Sequence, residues 1–457
     1  EGEFLLEALV GQRLRNAMLR SAGEGSCMAG WECGISQEEI KLRLREFELT
    51  IPFSLTDAQR HAVVLACRIN VISLSGGAGT GKTTILKAIL TVLEKLSLGI
   101  DIYQMALSGR AAQRMAEATG RPASTIAKFC VDMARDNQRT RPEHCIVVID
   151  EASMVDLYSM HNLLRYLPAA TRFIFVGDVD QLPPVGGGLL FHHIMKSDFP
   201  SVELREVKRQ SAGSGIHLFA TAIRHQRSAI VLPDYQAKAD LDCSILRSVD
   251  PVEISELVQA HGGSKKCATL TGMQKGKAGV ENLNKVMQRK LGFERPAVRL
   301  AGGEGSFDYV SSTGRKFYLN DPILVTKNDY KTGIRNGDLG TIVKVFDEAT
   351  EDGRLGLLKI DGRTIDLSVD MLDNLNLGYA MTIHKSQGSQ WENVVLALDQ
   401  GAIRMLDKTL LYTGVTRAQK KLIVCCEDMD LVQKAVDRGS VAFLRKTNLL
   451  QHLKADF

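Results

Sequence analysis

The stretch VISLSGGAGTGKTT, residues 71–84, joins a short apolar run to a glycine-rich loop and then to a helical pattern. It satisfies the phosphate-loop pattern G-x-x-x-x-G-K-[ST] in the strand, loop and helix context that the pattern requires. Glycines let backbone N–H groups wrap a β-phosphate at a helix N-terminus, a lysine reaches the β- and γ-phosphates, and a hydroxyl binds magnesium. The residues predicted for these contacts are Gly76, Gly77, Gly79, Thr80, Gly81, Lys82, Thr83 and Thr84, with Thr83 as a magnesium ligand.

Two further apolar runs end in polar residues. IVVI at residues 146–149 is followed by Asp150 and Glu151, which predicts a magnesium-side carboxylate and then a carboxylate able to polarise the attacking water. FIFV at residues 173–176 leads through a polar linker to Gln181, near the edge of a sheet where open α/β sheets bind ligands. We predict that Gln181 senses the γ-phosphate. The predicted catalytic set therefore begins with Lys82, Asp150, Glu151 and Gln181.

The chain alternates buried strands with helical patterns from residue 71 onward, which predicts a parallel sheet with helices on both faces. Residues 300–372 differ, because their runs are short, β-branched and bounded by tight-turn signals such as Asn336-Gly337 and Asp361-Gly362. They predict a small β-barrel or meander inserted into a larger α/β domain. Residues 1–50 predict helices with a loop at 21–34.

The 457 residues carry 57 Lys and Arg against 53 Asp and Glu, a net charge of +4, with 44% hydrophobic and 24% charged residues. These values exclude disordered, collagen-like and rod-like coiled-coil proteins. The net charge is too small to prove that the chain binds a polyanion. No apolar window reaches the roughly 18 residues of a membrane span, so we expect a cytoplasmic protein without a membrane partner. Nine scattered cysteines fit reduced thiols. The chain starts at Glu1 and not at a methionine, so the sequence is compatible with further domains upstream.

Motifs farther along narrow the class of nucleotide hydrolase. TIHKSQG at residues 382–388 and LYTGVTRA at 411–418 follow in order, and LTDAQ at 55–59 precedes the phosphate loop. Over residues 54–430 the chain resembles superfamily 1 helicases of the RecD-like branch. The resemblance implies two RecA-like P-loop NTPase lobes, each a parallel sheet flanked by helices, with an inserted SH3-like β-barrel. The implied domains are an N-terminal helical segment at 1–53, lobe 1A at 54–200, lobe 2A at 201–304 and 373–457, and the 2B insertion at 305–372.

The same resemblance assigns further site residues. Gln59 would read adenine, and Arg209 and Arg417 would be arginine fingers that stabilise the transferred phosphoryl group. Hydroxyls and backbone amides would hold the phosphates of a strand without reading its sequence. The implied strand-binding residues are Ser108, Arg110, Ser124, Thr125, Thr271, Thr382, His384 and Gln387.

One segment departs from the family pattern. Relatives carry a duplex-splitting hairpin between the positions of Lys128 and Cys145, and here that segment is short and only weakly basic. We predict a reduced 1B pin at about residues 128–145. Unwinding would then use this reduced pin or another element, such as the inserted β-module.

The resemblance implies an ATP-dependent DNA helicase that uses ATP and Mg²⁺, moves 5′ to 3′ on single-stranded DNA and unwinds duplex junctions. A monomeric motor working with a repair, recombination or conjugation assembly is expected. Two alternatives stay open: an RNA-directed helicase of the same superfamily, and a nucleotide-gated DNA-binding subunit of a larger nuclease or relaxase assembly.

Overall fold

The computed structural model describes residues 2–19, 36–96, 99–135, 144–206, 213–292, 294–302, 305–311, 314–329, 332–360, 362–445 and 447–454. The chain divides into two compact units, Glu1–Gly213 with Ser440–Phe457, and Ser214–Gly439. Within the described ranges, no helix is both long and apolar enough to cross a membrane.

The first unit is built on a six-stranded sheet in which every recorded strand pair is parallel. The strand order is β3-β2-β4-β5-β1-β6, so β5 lies between the phosphate-loop strand β1 and the carboxylate strand β4. The strands are β1 (Val71–Gly76), β2 (Asp101–Ala106), β3 (Ala123–Thr125), β4 (His144–Asp150), β5 (Ala170–Gly177) and β6 (Ser201–Leu204). The helices are α1 (Gly2–Leu19), α2 (Gln37–Glu48), α3 (Asp57–Arg68), α4 (Lys82–Lys95), α5 (Gly109–Thr119), α6 (Ile126–Arg135), α7 (Leu157–Tyr166) and α8 (Leu190–Lys196).

Both faces of this sheet are buried, as the near-continuous apolar runs predict. Alternate residues of a strand point to opposite faces. Ile72 and Leu74 pack in one core with α4, whereas Val71 and Phe173 pack in a second core with α1 and α7. Burial on both faces fixes the positions of the strand ends, and the predicted catalytic residues follow those ends.

The C-terminal segment belongs to the first unit. Helix α15 (Leu449–Leu453) packs on α1, with Leu449 and Leu453 fully buried in the same core as Leu14. The buried carboxylate of Glu7 accepts hydrogen bonds from the backbone N–H of Asn448 at 2.9 Å and from the Thr447 hydroxyl. The sequence-based boundary placed these residues with the second lobe, because no local pattern reveals a partner about 440 positions away.

The predicted pin segment is helical over its first part. Helix α6 (Ile126–Arg135) covers the start of the predicted pin, residues 128–135. Its apolar spacing buries Ile126 and Phe129, which explains the helix, and Lys128 pairs with Asp132 across one turn at 2.6 Å. Residues 136–143, including Arg139 and Arg141, lie outside the described residues, as does the whole of the predicted loop at 21–34.

The second unit contains a five-stranded parallel sheet in the order β16-β8-β17-β18-β7. The apolar runs at residues 394–398 and 422–425, which have the pattern of buried strands, fall on the strands Trp391–Ala397 and Ala418–Cys425, with only Leu398 beyond the end of the first. Its strands are β7 (Cys243–Leu246), β8 (Cys267–Thr271), β16 (Ala380–Thr382), β17 (Trp391–Ala397) and β18 (Ala418–Cys425). Its helices are α9 (Gly215–Arg224), α10 (Pro251–Ala260), α11 (Val280–Lys290), α13 (Lys408–Val415) and α14 (Met429–Asp437).

An antiparallel module lies between two strands of this parallel sheet, β8 and β16, along the chain. Its five strands have the order β14-β13-β12-β11-β15, and β9 pairs with β10 as a separate hairpin. Gly337 and Gly362 have φ values of +95° and +78°, the left-handed conformation that the two turn signals require. The module comprises β9 (Arg299–Gly302), β10 (Gly305–Asp308), β11 (Pro322–Val325), β12 (Leu339–Val345), β13 (Arg354–Ile360), β14 (Arg363–Ser368), α12 (Val369–Leu372) and β15 (Leu375–Leu377).

A buried carboxylate joins the module to the parallel sheet. Asp321 is 0% exposed and accepts hydrogen bonds from Arg295 Nη1 at 2.7 Å and from the Tyr379 hydroxyl at 2.7 Å. Its second oxygen accepts from Gln288 Nε2 at 2.6 Å and from the backbone N–H of Tyr318 at 2.9 Å. Tyr379 directly precedes β16, so the network fixes the start of the TIHKSQG segment.

Replacing Asp321 by alanine is expected to lower the free energy of unfolding by about 3–5 kcal/mol, because the largely buried Arg295 would lose its counter-charge. Denaturant unfolding measures this change. Replacing the exposed Asp352, which pairs with Arg354 at 3.3 Å, is the control and should cost less than about 1 kcal/mol. Equal, small effects at the two sites would show that the network does not stabilise the unit.

Candidate nucleotide and strand-binding sites

The phosphate loop has the backbone conformation that the sequence predicts. Gly79 and Gly81 have φ values of +80° and +83°, which favour glycine. A Cβ on Gly76 would lie 2.5 Å from Thr80 Oγ1 and 3.0 Å from the Leu204 Cβ, so the loop excludes a side chain there. Helix α4 starts directly after Gly81 without a side-chain cap, and its first N–H groups are therefore available to an anion.

Lys82 lies folded over this loop. Its ammonium donates to the carbonyl oxygens of Gly76 and Gly77, the latter at 3.2 Å. The Thr83 side chain is exposed, as a metal-binding hydroxyl must be, whereas Thr80 is buried and its hydroxyl donates to Gly77 O at 2.8 Å. Thr80 thus stabilises the loop itself, and Thr84, one residue past Thr83, is half-buried in α4.

Gln59 connects helix α3 to the loop. Its side-chain Oε1 accepts from the Thr56 N–H at 3.0 Å in a capping box, and its Nε2 donates to Thr80 O at 2.9 Å. Gln59 is 4% exposed. The structure therefore brings the predicted adenine-reading residue to the phosphate loop and gives both ends of its amide a protein partner.

Asp150 and Glu151 lie at the carboxyl end of β4. Burial raises the pKa of Asp150 to about 6, and the neighbouring Glu151 carboxylate adds to the rise. The Glu151 N–H, which donates to Asp150 Oδ1 at 2.8 Å, and the positive charges of Lys82 and Arg114 act in the opposite direction. Glu151 has a φ of +51°, a strained value for a residue with a side chain. The phosphate loop and the carboxyl end of β4 are therefore close enough for the charges of Lys82 and Asp150 to interact.

Strand β5 adds a buried carboxylate that the sequence analysis did not select. Asp178 is 0% exposed and accepts from Gln181 Nε2 at 3.4 Å and from the Asp180 N–H at 3.1 Å. Gln181 is 5% exposed, and the Val179 N–H donates to Ser75 Oγ of β1 at 3.4 Å. Asp178 therefore orients the predicted sensor Gln181. In the sequence, Gly177-Asp178 directly after the buried run at residues 173–176 is the pattern that could have identified this carboxylate.

These residues fit a nucleoside triphosphate with magnesium. The uncapped start of α4, with its free backbone N–H groups, suits phosphate oxygens. Mg²⁺ is usually bound through one or two protein oxygens together with substrate phosphates, and Thr83 and Asp150 supply such a pair. When bound, the ion would neutralise charge that develops on the phosphate oxygens.

The predicted strand-binding residues of the first unit also have local structural roles. Ser108 Oγ accepts from the Ala111 N–H at 3.2 Å and caps α5 next to Arg110, which is half-buried. Thr125 Oγ1 accepts from the Lys128 N–H at 3.0 Å at the start of α6, and Ser124 is half-buried in β3. These residues lie beyond the carboxyl end of β2 or in its neighbour β3, so the sheet brings them to one edge.

The predicted strand-binding residues of the second unit differ in how exposed they are. Thr382 is half-buried, accepts from the Lys385 N–H at 3.3 Å and pairs in register with Thr271. Thr271 is 0% exposed, so its hydroxyl does not reach the surface where a strand was predicted to contact it. His384 is exposed, with a pKa lowered by partial burial of its ring, and Gln387 is 8% exposed. Thr382 and His384 are the more accessible members.

The two predicted arginine fingers differ in what the structure shows. Arg417 is 2% exposed, and its guanidinium donates to Thr413 O at 3.0 Å, Ser389 O at 3.1 Å and Thr416 Oγ1 at 3.2 Å. It is held inside the second unit just after α13, and does not project as a finger. Arg209 lies outside the described residues.

Comparisons with known proteins agree with this geometry. An AAA domain family matches residues 54–244, and a UvrD-like helicase C-terminal domain family matches residues 377–425. The chain is 33% identical to the ATP-dependent RecD2 DNA helicase of Deinococcus radiodurans, over 84% of this chain and 50% of that protein. It is 31% identical to the RecBCD enzyme subunit RecD of Mycolicibacterium smegmatis, over 87% of this chain and 75% of that protein.

Solved structures share the fold. The Pif1 helicase from Bacteroides in complex with ADP-AlF3 and single-stranded DNA superposes with a TM-score of 0.52 and 19% identity, over 86% of this chain and 96% of that one. The chain spans about half the length of the Deinococcus relative. The α/β fold, the phosphate loop and the identity to the mycobacterial subunit show that the chain belongs to the RecD-like family of superfamily 1 helicases.

Proposed function

We propose that this chain is an ATP-driven DNA helicase that moves along single-stranded DNA, in the 5′ to 3′ direction, and unwinds duplex. The observation that carries the proposal is the joint site of the phosphate loop, Asp150 and Glu151 in a chain of this family. Displacement of a labelled strand from a tailed duplex tests it. ATP-dependent displacement supports the proposal. The absence of displaced strand from duplexes with a 5′ tail and from duplexes with a 3′ tail contradicts it.

The first unit supplies the chemistry in this proposal. Lys82 would leave the carbonyls of Gly76 and Gly77 and bind the β- and γ-phosphates of ATP, with Mg²⁺ held by Thr83 and Asp150. Glu151 would take up the proton of the attacking water. Gln181, oriented by Asp178, would respond to the γ-phosphate. Gln59 would read adenine while its amide links that contact to Thr80 of the loop.

The second unit is proposed to be a second RecA-like lobe that carries an SH3-like insertion. Five parallel strands and the match at residues 377–425 support the first part, and the five-stranded antiparallel module supports the second. Arg417 could act on a phosphate only if its hydrogen bonds to Thr413 and Ser389 broke, so a conformational change is part of its proposed role.

A second candidate function is a motor subunit of a larger DNA-processing assembly. The mycobacterial relative is named as a subunit of the RecBCD enzyme, which favours this candidate. An isolated chain that hydrolyses ATP in the presence of DNA but displaces no strand would support the subunit function over the independent helicase.

A further inference from the structure

The C-terminal strap, residues 440–454, lies against the loop that carries the predicted sensor Gln181. The strap belongs to the first unit, where its helix α15 packs on α1. Ahead of this helix, Phe443 contacts α8, and Arg445 contacts the loop at residues 178–189. Two side chains outside the nucleotide site thus reach the surroundings of Gln181.

The loop after the sensor depends on other segments for its shape. Residues 182–189, all of which the structure describes, form neither helix nor strand. The sequence PPVGGG at residues 183–188 contains three consecutive glycines, and glycine loses more conformational freedom on folding than any other residue. Gly188 has a φ of +83°, and a Cβ at Gly186 would lie 2.6 Å from Asp156 Oδ2. Glycine is therefore required at both positions, so contacts from other segments have to hold the loop in place.

Arg445 supplies one of these contacts. Its Nη1 donates to Pro184 O at 2.8 Å and to Gly186 O at 3.1 Å, on the two sides of the exposed Val185. A charged donor forms a stronger hydrogen bond to a carbonyl oxygen than a neutral donor does. Because Pro184 lies three residues after Gln181, the guanidinium fixes the backbone just beyond the sensor.

Phe443 supports the same loop from its other end. Its ring lies edge-on to the His192 ring with 5.4 Å between the centroids, and Lys196 Nζ lies 4.4 Å from its centre. His192 is 3% exposed, and its Nε2 donates to Val179 O at 3.1 Å, since a carbonyl oxygen can only accept. Val179 precedes Gln181 by two residues. Contacts of the strap thus hold the backbone on both sides of the sensor.

We propose that Arg445 and Phe443 are positioning residues for ATP hydrolysis, which hold Gln181 where it meets the γ-phosphate. The inference rests on the proposed function, and it assigns part of the sensor geometry to a segment 261 positions away from Pro184. Gln181 is 5% exposed and donates to Asp178 at 3.4 Å, so its amide has little room to compensate for a shift of the loop. A displacement of about 1 Å in a reacting group costs up to about 10²-fold in rate.

The test is a double-mutant cycle on DNA-stimulated ATP hydrolysis. Gln181→Ala should lower kcat about 10²-fold, the usual effect of removing one hydrogen bond to the transition state. Arg445→Ala should lower kcat about tenfold. The double variant should be no slower than Gln181→Ala, because a sensor that is absent cannot be displaced. If the two losses instead multiplied to about 10³-fold, Arg445 would act independently of Gln181 and the inference would be overturned.

Arg445→Lys separates positioning from a general loss of packing. One nitrogen of Arg445 donates to both carbonyls, so an ammonium can replace it, and kcat should return to within about twofold of the wild type. Arg438→Ala is the matched control, because Arg438 Nη1 likewise donates to backbone carbonyls, those of Ile403 and Leu406, at 2.7 and 3.0 Å. Its kcat should equal that of the wild type. No recovery with lysine, or an equal loss in Arg438→Ala, would overturn the positioning role.

Hydrogen–deuterium exchange provides a readout that does not depend on hydrolysis. In the nucleotide-free protein, backbone N–H groups at residues 178–189 should exchange about fivefold faster in Arg445→Ala and in Phe443→Ala, since each variant removes a contact that opposes opening of the loop. Exchange at residues 170–177, in β5, should not change, which verifies that the variants are folded. Unchanged exchange in the loop would overturn the inference.

The wild-type protein distinguishes a wrong inference from a wrong function. If it hydrolyses ATP with DNA while the cycle shows no coupling, only the positioning role is overturned. A Gln181→Ala variant with the wild-type kcat would overturn the sensor role and this inference together, and would leave the helicase proposal standing. Wild-type protein without DNA-stimulated hydrolysis would overturn both proposals.

Discussion

Replacing Lys82 by alanine is expected to lower DNA-stimulated ATP hydrolysis by about 10³-fold, because a cation positioned at the developing charge of the phosphates is lost. Steady-state release of phosphate with saturating single-stranded DNA measures the effect. DNA binding without nucleotide should be retained, since Lys82 donates only to the carbonyls of Gly76 and Gly77 in the structure.

Lys87 offers a matched control on the same helix. It is an exposed residue of α4 and lies one turn beyond the loop, so Lys87→Ala removes the same charge without touching the phosphate site. Its hydrolysis rate should equal that of the wild type. Persistent hydrolysis in Lys82→Ala, or an equal loss in both variants, would show that the reaction takes place elsewhere.

Replacing Glu151 by glutamine is expected to lower turnover by about 10²- to 10⁴-fold, since an amide cannot accept the proton of the attacking water. The substitution keeps the size of the side chain and leaves the bond from the residue 151 N–H to Asp150 in place. Nucleotide binding should therefore persist, and single-turnover hydrolysis together with nucleotide affinity separates the two effects.

Glu117→Gln on α5 is the control for Glu151→Gln. Glu117 is exposed and accepts from Gln113 Nε2 at 3.0 Å, so its replacement should change neither quantity. If Glu151→Gln lost as much nucleotide affinity as turnover, Glu151 would have a role in nucleotide binding. Its proposed role in proton transfer would then be wrong.

The sequence predicts the parts of this molecule that depend on local patterns. Buried runs such as residues 71–74 and 146–149 became strands inside the sheet, and Gly79 and Gly81 of the loop have a left-handed φ. No apolar run marks strand β2 in the sequence, because its first half, Asp101–Tyr103, is exposed or half-buried and therefore lacks the continuous apolar pattern of a central strand.

The parts that depend on distant contacts could not be predicted. The return of residues 440–454 to the first unit follows from the bond between Glu7 and Asn448, and the burial of Thr271 follows from its place between β16 and β17. The hydrogen bonds of Arg417 to backbone carbonyls likewise have no signal in the motif that contains it. A motif identifies the residue type and its neighbours in the chain, but tertiary packing decides what each side chain contacts.

Strand displacement from tailed duplexes tests the central claim most directly, because it requires ATP hydrolysis, strand binding and unwinding together. Duplexes with a 5′ or a 3′ single-stranded tail, made of DNA or of RNA, are compared with and without ATP. We predict ATP-dependent product from the 5′ DNA tail, little from the 3′ tail, and none with Lys82→Ala. Product from RNA tails alone, or ATP hydrolysis without displacement from any tail, would contradict an independent DNA helicase.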